Sequence, residues 1–336
     1  MSAPATHMPA ATQAHNYGQL GWTLRLRCVV CGGALGVLPQ PLSLRSRCVL
    51  HCTHCDFALA CQDGIWMALP PGRAQYFRQF VDEYQTVRAA EGRGSLDGNF
   101  YLLLPFADVS GRNCWQWEIR ARSYQYFVSR ILPALGTRSL RVLDLGAGNG
   151  WLSHRLALLG HRPVAVDLLV NPLDGLGAAS HYLFDLPGLF PRFQAEMDHL
   201  PFEDHQFECA VFNASFHYSE DYGITLAEAL RCVRPGGFIA ILDSPWYRNP
   251  SAGVQMVSER RRAFQLQFGF PSDALRSRDF LTDADLQALE GQFSIEWDIH
   301  CPWYGPRMAA RPWLAALRGK RQPATFRIYI AKAAVR

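Results

Sequence analysis

Two cysteine pairs and one glycine run have the residue types and spacing to do chemistry. Cys28-Val-Val-Cys31 and Cys52-Thr-His-Cys55 are separated by twenty residues. Each CxxC presents two thiolates from one tight turn, and two such turns complete a tetrahedral Zn²⁺ site. Gly32-Gly33 suits the turn after the first pair, while Cys48, His51, His54 and Cys61 stand near enough in sequence to replace a ligand. Four thiolates leave no open coordination position, so the expected metal is structural. The glycine run is Asp144-Leu-Gly-Ala-Gly-Asn-Gly, within "RVLDLGAGNGWLSHRLALLGHRPVAVD" (141–167). Gly146 and Gly148 let the backbone take positive φ and let a ligand approach closely. Asp167 ends the next apolar stretch, where a carboxylate can accept hydrogen bonds from both hydroxyls of a ribose. The GxGxG spacing departs from the GxGxxG that seats a dinucleotide pyrophosphate, which counts against an NAD site.

The elements that must position these residues separate by composition. The chain has 336 residues, 49% hydrophobic and 18% charged, with a formal charge of +4. That is enough mass for about two domains and too little charge to announce nucleic acid. No apolar run approaches the roughly 20 residues of a membrane span. Residues 1–20 read as a disordered small-residue tail without the basic start and apolar run of a secretory signal. Ten cysteines in such a chain imply a reducing compartment, with cytoplasm expected. Residues 21–70 hold six of the cysteines and form the expected zinc ribbon. Residues 71–137 read as a helical linker or cap, with helices in "RAQYFRQFVDEYQTVRAAEG" and "NCWQWEIRARSYQYFVSRILPALG" and a loop in "GSLDGNFYLLLPFADVSG". From 138 onward strands at 140–145, 163–167, 207–213 and 237–242 alternate with helices, the pattern of a doubly wound α/β fold with a mostly parallel sheet. "FSIEWDIHC" and "TFRIYIAKA" read as a closing antiparallel pair joined by the Pro-rich stretch 302–323, with no clear helix between them.

Four segments in order, "VLDLGAGNGWLS", "GHRPVAVD", "AEMDHLPFEDHQFECAVFNASFHY" and "EALRCVRPGGFIAILD", resemble the class I S-adenosylmethionine (SAM)-dependent methyltransferases that modify small molecules. The resemblance covers 138–248 and implies a Rossmann-like, seven-stranded sheet with SAM as cofactor. It places Asp144 near the methionine amino group, Gly146 and Gly148 beneath that moiety, and Asp167 on the ribose. Glu196 falls on the adenine exocyclic amine and Met197 against the ring, with Asp198 a substitute for Glu196. Asn213 falls under the sulfonium. Glu208 replaces an aspartate common in relatives and reads as a surface substitution. "LRCVVCGGAL…HCTHCDFALACQDGIWMALPP" resembles the zinc ribbons of small proteins that activate tRNA and protein methyltransferases, and less closely those of rRNA guanine methyltransferases.

For the reaction, His217 is the candidate general base, since an ordinary histidine titrates near pH 6.5, and Tyr218 is a candidate to orient the acceptor. Both belong to "FNASFHY", which follows the fourth strand of the fold. The excursion 244–280 is the expected substrate-side insertion, with Trp246, Tyr247 and Phe264 as candidate walls. Arg260, Arg261 and Arg262 are either a solvated helix face or a site for phosphate or carboxylate. Arg120 or Tyr124 is expected to reach inward from "WQWEIRARSY". The acceptor is expected to be a small or medium-sized natural-product or lipid-like metabolite. The alternatives are an RNA (rRNA or tRNA) base, gripped by a ribbon carrying Arg25, Arg27, Arg45 and Arg47, and a non-catalytic SAM-binding interaction module. The sequence leaves the oligomeric state and the acceptor atom open.

Overall fold

The computed structural model describes residues 21–39, 47–136 and 139–334. The tail at 1–20 and Arg45 lie outside the described residues. In chain order the elements are β1 (Arg25–Arg27), β2 (Ala34–Val37), β3 (Val49–His51), β4 (Ala58–Gln62), β5 (Ile65–Met67), α1 (Pro71–Ala90), α2 (Gly98–Leu103) and α3 (Cys114–Tyr126). There follow β6 (Arg141–Leu145), α4 (Trp151–Leu158), β7 (Arg162–Asp167), β8 (Arg192–Gln194), β9 (Phe207–Asn213), α5 (Tyr222–Cys232) and β10 (Val233–Leu242). The chain ends with α6 (Pro250–Phe268), α7 (Asp283–Phe293), β11 (Trp297–His300), α8 (Pro306–Leu317) and β12 (Ile328–Lys332). Among the described residues no helix is long and apolar enough to cross a membrane.

Ten strands form one sheet in the order β11-β12-β10-β9-β6-β7-β8-β5-β4-β3. The seven from β11 to β8 are those the resemblance implies. β10, β9, β6, β7 and β8 run parallel, and β12 is antiparallel to both β10 and β11. Their apolar runs are buried on both faces, as a sheet covered by helices requires. Leu143, Val164 and Phe212 pack on one side, Val142, Ala165 and Val211 on the other. Strand order reverses beside β6, and a crevice opens outside the carboxyl ends of strands at such a point.

The cysteine-rich segment is no separate bead. β5 pairs with β8 in parallel register, Ile65 opposite Arg192, so three ribbon strands continue the main sheet. The β1–β2 hairpin forms its own small sheet and docks against the loop before β9. There Arg27 donates a backbone hydrogen bond to Pro201 (3.1 Å) and Arg25 accepts one from Glu203 (3.2 Å). Phe202 is the joint: fully buried, it lies edge-on to Phe193 (4.9 Å) and Phe207 (5.3 Å).

Three sequence expectations change. The stretch read as a loop contains α2, because Asp97 caps it by accepting from the backbone of Asn99 (3.0 Å). The Pro-rich stretch 302–323 contains α8, with Pro306 in its first turn, where proline suits a helix. Glu208 is buried rather than at the surface. It takes the backbone N–H of Arg141 (2.7 Å) and two contacts from that residue's guanidinium Nε.

Because hairpin and sheet share one core, Phe202→Ala should destabilise the protein by about 3–5 kcal/mol, the usual cost of emptying an aromatic core site. Urea unfolding followed by both near- and far-UV circular dichroism checks this. A separate early transition of the ribbon would show that the core is not shared.

Candidate active site and cysteine cluster

Gly146 follows β6 directly, at φ 72°, and Gly148 stands at φ 56°. A Cβ on Gly146 would lie 2.3 Å from Cβ of Ser215, so this turn must carry glycine to sit against the end of β9. Beyond the turn lies a cleft with about 1100 Å³ of open space. Asp144, Gly146, Gly148, Asp167, Glu196, Met197, Asp198 and Asn213 all line it.

Each acidic group has a distinct setting. Asp144 is fully buried at the end of β6, where one oxygen accepts from Ser153 Oγ of α4 (2.7 Å) and Oδ1 has no partner among the described residues. Burial pushes its pKa up to about 7, against the opposing Ser153 bond, with Asp167 adding to the rise. Asp167 ends β7 and accepts from the backbone N–H groups of Gly148 (2.7 Å) and Leu169 (2.8 Å). Burial still raises it to about 6. Asp198 accepts from Thr225 Oγ1. Asn213 Oδ1, at the end of β9, is buried without a partner among the described residues.

Glu196 does not stand free. Arg73, in the first turn of α1, grips it with two nitrogens, at 3.0 Å from Nε and 2.6 Å from Nη2. At the other end of α1, Arg88 grips Asp174 (2.9 Å from Nη2). Between the two, Phe77, Phe80 and Tyr84 line the cleft. None of these α1 residues was singled out from sequence. Their only signal was aromatic residues at helical spacing, which an ordinary core helix shares.

A second cavity, with about 990 Å³ of open space, adjoins the cleft and shares Phe80, Tyr84, Arg88, Arg120, Ala214, Tyr218 and Leu275 with it. Tyr218 thus stands between the two, while His217 faces only the second. The excursion after β10 closes this cavity through α6 and the segment behind it, with Arg260, Phe264, Leu275 and Asp279 among the lining residues. Trp246 and Tyr247 are packed in hydrophobic clusters instead of lining either space. Of the two inward candidates on α3, Arg120 reaches both cavities and Tyr124 packs edge-on against Trp151 (5.9 Å).

His217 departs from an ordinary histidine. Burial pushes its pKa down to about 3, and Arg260 and Arg120 push the same way. Its Nδ1 lies 3.3 Å from Ser244 Oγ.

A protein-family model described as "Methyltransferase domain" matches residues 143–241. These residues are an S-adenosylmethionine-dependent methyltransferase domain. Among curated relatives, malonyl-[acyl-carrier protein] O-methyltransferase of Pseudescherichia vulneris is 26% identical over 206 residues, 55% of this chain and 77% of that protein. The tRNA U34 carboxymethyltransferase of Azotobacter vinelandii is 28% identical over 212 residues, 60% of this chain and 61% of that protein. The chain therefore spans about three quarters of one and about three fifths of the other. Among solved structures, an S-adenosylmethionine dependent methyltransferase from Mesorhizobium loti is 18% identical, with a TM-score of 0.43, covering 63% of this chain and 99% of that one.

Upstream of the methyltransferase domain, the two CxxC turns meet. The Sγ atoms of Cys28, Cys31, Cys52 and Cys55 all lie within 4.8 Å of one another. Cys28–Cys55 is 3.6 Å and Cys31–Cys52 3.5 Å. Backbone N–H groups of Val30, Gly33 and His54 point at three of the sulfurs, each at 3.4 Å. Cys48 and Cys61 sit apart from this group, their backbones paired at 2.8 Å.

The raised pKa of Asp144 fixes the sign of a pH effect. The folded protein holds a proton that the unfolded chain releases, so Asp144 takes stability away as pH rises from 3.8 towards about 7, with no further loss above. Asp144→Asn should flatten that part of the ligand-free protein's stability–pH curve, raising its stability at neutral pH relative to wild type. Denaturant midpoints across that range measure it; parallel curves for the two proteins would refute it.

Proposed function

We propose that the chain transfers a methyl group from SAM to a small or medium-sized acceptor held in the second cavity. The observation that carries this reading is the join of two adjoining open clefts at Tyr218 and Arg120. One suits the cofactor and the other is roofed by α1, α3 and α6. The cleft fits SAM on its own evidence. Asp144 Oδ1 and Asn213 Oδ1 are buried acceptors without partners among the described residues, and a cationic ligand with an amino group supplies both a donor and a counter-charge. Asp144 and Asn213 would hold the methionine end, Asp167 the ribose, and Glu196, Met197 and Asp198 the adenine side. When bound, SAM supplies an electrophilic methyl on sulfur and leaves as S-adenosylhomocysteine.

Positioning is most of what methyl transfer asks of a protein. Tyr218 would orient the acceptor at the junction. His217, neutral and weakly basic, serves better as a hydrogen-bonding wall than as a proton acceptor. That suits an acceptor whose nucleophile needs no deprotonation.

The four cysteines fit Zn²⁺. Tetrahedral zinc with thiolates at about 2.3 Å sets sulfurs about 3.8 Å apart, near the separations of 3.5 and 3.6 Å across the cluster. In a reducing, cytoplasmic setting the thiolates stay available, and the closed set makes the metal structural. An RNA-gripping ribbon has less support. Arg25 is paired with Glu203 (2.6 Å) and Arg27 with Asp204 (3.4 Å), so both help dock the hairpin. Arg260 and Arg321 are likewise paired, with Asp279 and Glu259.

Calorimetric titration of the zinc-loaded protein with SAM and S-adenosylhomocysteine should show saturable binding. Asp167→Ala should weaken it by at least about tenfold, or 1.4 kcal/mol. Absence of binding to folded wild type would overturn the reading and favour an interaction module. One zinc per chain by elemental analysis, lost in Cys52→Ser, tests the metal.

A further inference from the structure

The second cavity presents more guanidinium donors than the protein satisfies. Four arginines line it, Arg88, Arg93, Arg120 and Arg260. Arg88 is spent on Asp174. Arg93 and Arg260 each hold one carboxylate, Glu91 (2.9 Å) and Asp279 (2.6 Å), yet Nη1 of Arg93 and Nε of Arg260 are buried with no partner among the described residues. Arg120 lies 4.7 Å over the ring of Trp117, and among the described residues its guanidinium makes no ion pair. Arginine carries five N–H donors and keeps its charge, and buried donors without acceptors are costly.

The acidic groups around the cavity answer this only in part. Glu91 and Asp279 are engaged as above. Asp243 is the remaining carboxylate. Its Oδ1 is taken by Ser123 Oγ (2.5 Å), its Oδ2 has no partner among the described residues, and burial raises its pKa to about 6. Arg120 therefore feels the charge of Asp243 but, among the described residues, has no hydrogen-bonded anion, and it stands beside a histidine held neutral.

We propose that the second cavity receives an oxyanion of the methyl acceptor, a carboxylate or a phosphate. Arg120 is its principal partner, with Arg260 and Arg93 closing the cage. Guanidinium groups suit both anions, since their fork matches two oxygens at once. Arg120 faces both cavities, which sets the anion beside the point of transfer. The inference rests on the methyltransferase reading above and names the class of acceptor it would use.

The test is calorimetric titration of the full-length, zinc-loaded protein with succinate and with inorganic phosphate, against chloride at equal ionic strength. Each titration is run with and without saturating S-adenosylhomocysteine. Saturable binding of either anion is expected, weakened at least about tenfold in Arg120→Gln and in Arg260→Gln and partly restored in Arg120→Lys. Binding of succinate alone assigns a carboxylate acceptor, and binding of phosphate alone a phosphorylated one. The proposal falls if neither anion binds more tightly than chloride, or if both glutamine variants bind as wild type does. It also falls if Arg120→Gln abolishes S-adenosylhomocysteine binding while anion binding persists, since that guanidinium then serves the cofactor's own carboxylate. Loss of S-adenosylhomocysteine binding in wild type would strike the methyltransferase reading instead, and the titrations without it still decide this one.

Discussion

One helix, pinned at both ends by ion pairs, gives the site its roof. Arg73 and Arg88 of α1 are fifteen residues apart, roughly 22 Å along a helix, and each grips a carboxylate from a different loop of the sheet. Glu196 follows β8 and Asp174 follows β7. The Arg88 pair is the more buried, with side-chain exposures of 17% and 7%. Removing one partner there would strand a buried charge, a larger penalty than the pair's net attraction. Exposure at Arg73 reaches 40%, so solvent screens that end. The aromatic stripe between these anchors meets the cleft because both ends are fixed.

That roof covers two spaces of opposite character. In the first cleft, Asp144, Asp167, Glu196 and Asp198 are all lining residues. The other side carries four arginines beside three carboxylates, and burial together with the field of Arg260 and Arg120 holds His217 neutral. A cationic methyl donor and an anionic acceptor would each find the complementary wall, with Tyr218 at the join. Such fixed charge in a desolvated pocket is stronger than the same charge in water. Burial is the main cause of the elevated pKa values of Asp144 and Asp167, and a neighbouring carboxylate adds to each, Asp167 to the first and Asp174 to the second.

The sequence was most legible where the backbone itself is constrained. Gly146 and Gly148 must take positive φ, and a strand must end at Asp144 for that turn to open, so the motif announces its own geometry. The CxxC pairs are legible for a similar reason, since thiolates at that spacing meet only around a shared centre. Partnerships across long separations were not legible. Arg73 and Glu196 are 123 residues apart, Arg88 and Asp174 86. Nothing local distinguishes those arginines from solvated ones. Glu208 was misread for the same reason: a glutamate within an apolar strand reads as surface until its partner Arg141, 67 residues away, is placed beside it. Trp246 and Tyr247 were mistaken for pocket walls because aromatic residues serve a core and a pocket equally well.

The join between ribbon and sheet gives the cysteine cluster a reach beyond its own turn. β8 has only three residues, and its end leads into Ala195, Glu196 and Met197. Without β5 it would be a short edge strand, the kind of element that frays first. With β5 beside it, the backbone N–H of Ala68 donates to Gln194 (2.9 Å), and Trp66 stacks on Phe193 (6.4 Å). β4 and β3 then protect β5, and the Cys52–Cys55 turn joins β3 to β4. The cluster thus closes the far edge of a stack of strands whose inner member leads into the cleft-lining loop at Glu196, so a metal there would steady that loop through the sheet from a distance.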